Sequence, residues 1–209
     1  ADMDRPGFEG AKFICSPSPR TREDSEGLWQ DICRGTLDIV SSDHSGSSYE
    51  GEAGKRIHGN NAPFPDIPNG VPGLASRLPL IFSEGVAAGR VDVNHFVRLT
   101  ATNPAKLFGL YPQKGTIAPG SDADLVVWDP AKRVTITNEH MQHVIDYTPY
   151  EGMEVTGWPV ATIKGGRVAM RDGKVQAEPG SGRFLARAPY PMIKPRGVLP
   201  DGFDAAQFA

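Results

Sequence analysis

The residues best suited to chemistry stand at the end of one apolar run, "LDIVSSDHSG" (37–46), where Asp43 precedes His44. A carboxylate at a strand end can ligate a metal or take a proton from an activated water. It can equally cap the next turn, an ordinary role for Asp at such a place. If the strand continued, His44 would point away from Asp43, because successive side chains alternate. His44 therefore reads as a loop residue behind the site rather than as a ligand. The other histidines do not rebuild a metal centre: His58 lies in a long loop and His95 in a helical pattern. His140 and His143 are spaced to share one helix face, which suits a solvated surface helix better than a zinc pair. No HxH or HExxH occurs, and neither Cys15 nor Cys33 has ligand spacing.

Several elements must position these residues. "AKFICSP" (11–17) reads as a short buried strand stopped by Pro17 and Pro19. "EDSEGLWQDICRG" (23–35) reads as a helix with Leu28, Trp29, Ile32 and Cys33 on its apolar face and Gly35 at its stop. "TLDIVSSD" (36–43) reads as a second strand, so the chain begins strand–helix–strand, the minimal unit of a parallel α/β sheet. The glycine- and serine-rich stretch 45–70 has no period, and a loop of that length is usually functional or mobile. Helical patterns follow at 73–89, with Pro79 as a kink, at 92–101 with Asp92 as N-cap, and at 103–110 with Asn103 as N-cap, Pro104 at the first position and Gly109 as the stop.

From about residue 113 the pattern becomes all β. A Pro119–Gly120 turn precedes the strand "ADLVVWD", and "VATIKGGRVAMRDGKV" reads as strands joined at Gly165–Gly166 and Asp172–Gly173. The proline-broken end reads as an extended arm. With 39% hydrophobic and 22% charged residues, the chain can form a sizeable core and is not generally disordered. A net charge of −3 and the lack of a basic run give no polyanion-binding surface, and no apolar stretch approaches membrane-spanning length. Two cysteines without paired spacing read as core thiols in a reducing, cytoplasmic compartment. The opening "ADMDRPGFEG" lacks an initiator Met and leads straight into a loop, as expected of a processed chain or a piece of a longer one.

The stretch "ATNPAKLFGLYPQKGTIAPGSDADLVVWDP" (101–130) resembles the dihydropyrimidinase/D-hydantoinase group of cyclic amidohydrolases, within the metal-dependent amidohydrolase superfamily. "GAKFICSPSPR" (10–20), "SSDH" (41–44) and "IPNGVPGLASRLPL" (67–80) agree with it in order, so the resemblance covers about residue 7 to about residue 190. It implies an α/β plus β chain: the last strands and helices of a (β/α)₈ TIM-type barrel (1–112), the C-terminal strands of a small β-sandwich (113–180), and an extended arm (181–209). "AKFICSP" and "LDIVSSD" would then be the barrel's seventh and eighth strands, and its N-terminal half would be missing.

The resemblance also implies a reaction. A cyclic amide, either a dihydropyrimidine or a 5-substituted hydantoin, would be opened by a hydroxide held between two Zn²⁺ ions. Of the family's ligands only Asp43 has a counterpart, as metal ligand and proton shuttle. Backbone groups at Ser16 and Asn69 would hold the ring, although both residues also suit ordinary turns. "SDHSGSSYEGEAGK" and "CSPSPR" depart from the family's usual text near the pocket, which leaves the substrate open. The implied assembly is a homo-oligomer, a tetramer, with the arm reaching a neighbouring subunit. Non-catalytic dihydropyrimidinase-related binding proteins and allantoinase-like hydrolases are the alternatives. The chain by itself is expected to be inactive.

Overall fold

The structure, a computed structural model, describes residues 2–187; most of the expected arm lies outside the described residues. Helix α1 spans Arg22–Arg34. Thr21 and Asp24 close its start reciprocally: the Asp24 N–H donates to Thr21 Oγ1 at 3.2 Å and the Thr21 N–H to Asp24 Oδ2 at 3.0 Å. Gly35 ends it in the left-handed region, as expected. Its buried face is narrower than its apolar pattern. Ile32 is buried and Trp29 half-buried against Val91 and Leu99, whereas Leu28 and Cys33 are exposed. Cys33 is thus not a core thiol, and Cys15 is only partly covered.

Neither expected N-terminal strand forms. Glu9–Phe13 is a short 3₁₀ helix, and 36–43 has no regular secondary structure. A strand needs neighbours for its N–H and C=O groups, and the described residues put no strand beside either segment. Helical groups serve instead. The Val40 N–H donates to Leu99 O at 3.3 Å, Arg77 Nη1 to Val40 O at 2.6 Å, and Asn103 Nδ2 to Asp38 O at 2.8 Å.

Arg77 opens α2 (Arg77–Ile81), Asn103 opens α4 (Asn103–Leu107), and the accepting Leu99 lies in a π-wound stretch, Arg98–Thr102; α3 (Val93–Val97) and a second π-wound stretch, Phe82–Ala87, complete the helical part. Pro79 sits within α2. Asp92 caps α3, accepting the His95 N–H at 2.6 Å. Asn103 is not a cap: Thr102 is already helical, the π-wound stretch runs straight into α4, and the Asn103 amide turns to Asp38 instead. Gly109 follows α4 with φ 68°, the stop that the sequence suggests.

Strands β1 (Leu125–Thr135), β2 (Glu154–Lys164), β3 (Arg167–Arg171) and β4 (Lys174–Val175) form one antiparallel sheet in chain order. Both expected tight turns are present. Gly165 and Gly166 have φ of 55° and 79°, and Asp172 and Gly173 have 48° and 76°, the paired positive values that suit a two-residue hairpin. Pro130 interrupts β1 where the register shifts, and Asp129 Oδ1 accepts the N–H groups of Ala131 and Lys132 at 3.0 and 3.2 Å. An edge strand tolerates this loss of a ladder donor. Among the described residues no helix is long and apolar enough to cross a membrane.

The helices meet the sheet through three rings. Phe82 lies 4.9 Å from Trp128 and 5.5 Å from Phe96, and Phe96 lies 5.9 Å from Trp128. Gly157 on β2 makes room for them: its φ is 95°, and a Cβ there would stand 2.2 Å from Phe82 Cδ1. Gly157→Ala should therefore reduce unfolding free energy by about 2–4 kcal/mol through backbone strain and overpacking. Chemical denaturation measures this, and a loss below about 0.5 kcal/mol, the range of a neutral surface change, would refute tight packing at this junction.

Candidate active site

Asp43, Ser16 and Asn69 sit on three separate loops, and all three residues are exposed. The loops are stitched together at Gly70. Its N–H donates to Ile14 O at 3.0 Å, while the Ser45 N–H donates to Val71 O at 3.2 Å. Gly70 has φ 103°, and a Cβ would stand 2.0 Å from Ser45 O, so only glycine permits this approach. The structure thus brings the segments carrying Ser16, Asp43 and Asn69 into one neighbourhood. Asn69 also opens the turn, as its sequence context allows: its Oδ1 accepts the Gly70 N–H at 2.8 Å.

Asp43 has φ 44°, a left-handed conformation that Asp tolerates better than most residues. Its charge is felt at Cys15, next to Ser16. Burial pushes the Cys15 thiol up, the Lys55 ammonium opposes this, and Asp43 adds to it.

His44 is a loop-holding residue. Its Nδ1 accepts the N–H groups of Gly73 at 3.1 Å and Leu74 at 3.2 Å, which assigns the proton of the neutral ring to Nε2. Its ring faces that of His143 at 6.3 Å. His143 Nε2 lies 2.8 Å from Asn138 Oδ1, and Asn138 Nδ2 donates to Ile145 O at 3.0 Å, so this nitrogen of His143 is the donor. Burial, then His44, lowers the pKa of His143. His140 turns elsewhere, accepting the Thr137 N–H at 3.3 Å and lying 5.7 Å from the Trp158 ring. Only His140 lies in the short helix Asn138–Met141, so the two histidines do not share a helix face. Among the described residues no group of three or more His, Cys, Asp or Glu could hold a metal ion.

Three residues that sequence reasoning passed over hold these loops. Asp146 accepts the Tyr49 N–H at 2.6 Å and the Glu50 N–H at 2.9 Å, pinning the chain beyond His44. Among the described residues the Tyr147 hydroxyl is buried without a hydrogen-bond partner, and burial, then the Asp146 charge, pushes its pKa well up. Lys55 is fully buried, and its Nζ donates to Pro68 O at 2.8 Å and Ile14 O at 3.4 Å. No periodicity marks any of the three; a lone Lys amid glycine and serine reads as solvated.

Burial lowers the Lys55 pKa from 10.5 to about 8, with Cys15 opposing the shift. Between these values the unfolded chain binds the extra proton, so Lys55's contribution to stability rises with pH across this window. The change amounts to about 3 kcal/mol in all. The unfolding free energy of the natural chain should accordingly gain on that of Lys55→Met between pH 8 and pH 10.5. A difference that stays flat across parallel urea titrations would show that Lys55 is not buried as a cation.

The amidohydrolase family model matches residues 8–169. The chain is 43% identical to D-hydantoinases of Rhizobium radiobacter and Ralstonia pickettii over 189 residues, 90% of this chain and 40% of each relative. Among solved structures, a D-hydantoinase (dihydropyrimidinase) from Thermus sp. is 41% identical with a TM-score of 0.84, covering 90% of this chain and 40% of that one. An L-hydantoinase (dihydropyrimidinase) from Arthrobacter aurescens is 34% identical with a TM-score of 0.78, covering 89% of this chain and 40% of that one. The chain thus spans about 40% of the length of the curated relatives it matches. With the family pattern running through most of its length and the fold of those enzymes retained over the shared part, the chain belongs to the amidohydrolase family.

Proposed function

We propose that this chain is the C-terminal part of a hydrolase that opens cyclic amides, either 5-substituted hydantoins or dihydropyrimidines. Residues 1–112 belong to its barrel, 113–180 to a β-sandwich and 181–209 to an arm. The observation that carries this proposal is the meeting of three loops at Gly70, which sets the Ser16, Asp43 and Asn69 segments side by side. Relatives named D-hydantoinase and D-phenylhydantoinase support the substrate class.

Ser16 and Asn69 lie on exposed loops, where backbone groups can reach a ring that presents adjacent C=O and N–H. Asp43 is an exposed carboxylate on the neighbouring segment, a group able to take a proton and pass it to the departing nitrogen. In the family a pair of Zn²⁺ ions supplies a water of lowered pKa. The described residues offer that pair Asp43 and no gathered donor set. A cytoplasmic homotetramer belongs to the same proposal.

The test has two arms. The pure chain, dialysed, should hold less than one zinc per chain and open neither 5-phenylhydantoin nor dihydrouracil. Joined to the remaining barrel of a hydantoinase, it should support ring opening. Asp43→Asn in that joined protein should then lose at least about 10³-fold in kcat, the loss expected when a proton-transfer group goes. Unchanged turnover in Asp43→Asn would refute the role of Asp43. Substrate binding without turnover in the parent protein would select the non-catalytic alternative.

A further inference from the structure

Lys55 is the one fully buried cation among the described side chains, and it is spent on two carbonyls rather than on a carboxylate. Those carbonyls are specific. Ile14 O lies two residues before Ser16, and Pro68 O lies one residue before Asn69. The Ile14 carbonyl also receives the Gly70 N–H, so one oxygen is shared by the lysine and the turn that follows Asn69. The Lys55 main chain is fixed too, its N–H donating to Ser48 O at 2.8 Å.

We infer that Lys55 is a positioning residue of the substrate pocket: by tying Ile14 O to Pro68 O, it sets the spacing between the backbone groups at Ser16 and Asn69. This inference rests on the proposed function above. The ring is read by main-chain groups whose separation must match the distance across an amide, and loops hold such a separation only when something rigid spans them. A core residue kept for stability alone would not be an ammonium at this place. Burying a cation among neutral acceptors costs free energy, and a methionine of similar length would fill the space without that cost. The arrangement fits a device that gives up stability for geometry. Lys55 touches no reacting atom in this account and acts only through the two loops.

The test compares the natural 209-residue chain with Lys55→Met, each joined to the remaining barrel of a hydantoinase. Three quantities are read at pH 7: unfolding free energy, amide exchange at Gly70, and the affinity for 5-phenylhydantoin followed by amide shifts at Ser16 and Asn69. The expected result is a split. Lys55→Met is as stable as the natural chain or more so, its Gly70 amide exchanges at least 10-fold faster, and its affinity falls at least 10-fold. Equal affinity in both proteins overturns the inference while leaving the ring-binding proposal intact. Unchanged Gly70 exchange overturns it without reference to any ligand. If the natural chain shows no shifts at Ser16 and Asn69, yet Gly70 exchange still depends on Lys55, the ring-binding proposal fails. Lys55 is then a structural tie only, and the inference falls with it.

Discussion

Everything at the candidate site depends on one constraint: a long glycine- and serine-rich loop cannot satisfy or order its own backbone, so distant groups must do so. Asp146 supplies two acceptor oxygens to the N–H groups of Tyr49 and Glu50, and Lys55 ties Pro68 O to Ile14 O. Between these points Gly70 lets the chain pass against Ser45 O where no side chain would fit. Each tie offsets ordering entropy that runs to about 1–2 kcal/mol per residue fixed. The loop's shape is therefore imposed on it by residues whose own positions are set by the core beneath. Ile14, Tyr49, Ile67, Ile145 and Tyr147 form that core, and they come from four separated parts of the chain.

The same logic governs the N-terminal segments. Residues 36–43 have the composition of a strand, but Val40 and Asp38 find their partners on helical groups, Leu99 O, Arg77 and Asn103. Backbone polar groups that leave water must be paired, and what matters energetically is that they are paired rather than by what. Asn103 illustrates the exchange: once Thr102 continues the helix, no orphan N–H remains for it to cap, and its amide serves the neighbouring segment.

Much of this was legible beforehand, and the parts that were not have a common cause. α1, the hairpin turns at Gly165–Gly166 and Asp172–Gly173, the Asp92 cap and the helix stops at Gly35 and Gly109 are all local events, decided within a few residues by φ preference and capping chemistry. Asp43 stood out because an apolar run ends at it. Lys55 and Asp146 did not, because their farthest partners are 41 and 97 residues away and no period or spacing records them. The two expected strands failed for the same reason: strandness is a property of a pair, and one segment's composition cannot supply its neighbour.

The Asp146 tie also bears on the order in which the molecule can assemble. Strands β2, β3 and β4 follow one another through two-residue turns, so their pairing closes only small loops of chain. The bond from Asp146 to Tyr49 spans 97 residues and closes a far larger one. Closure entropy grows with loop length and is repaid only when distant contacts form. A nascent chain must therefore have emerged through Asp146, just short of β2, before the loop beyond His44 can be pinned. The candidate site thus borrows its order from the segment that leads into the sheet.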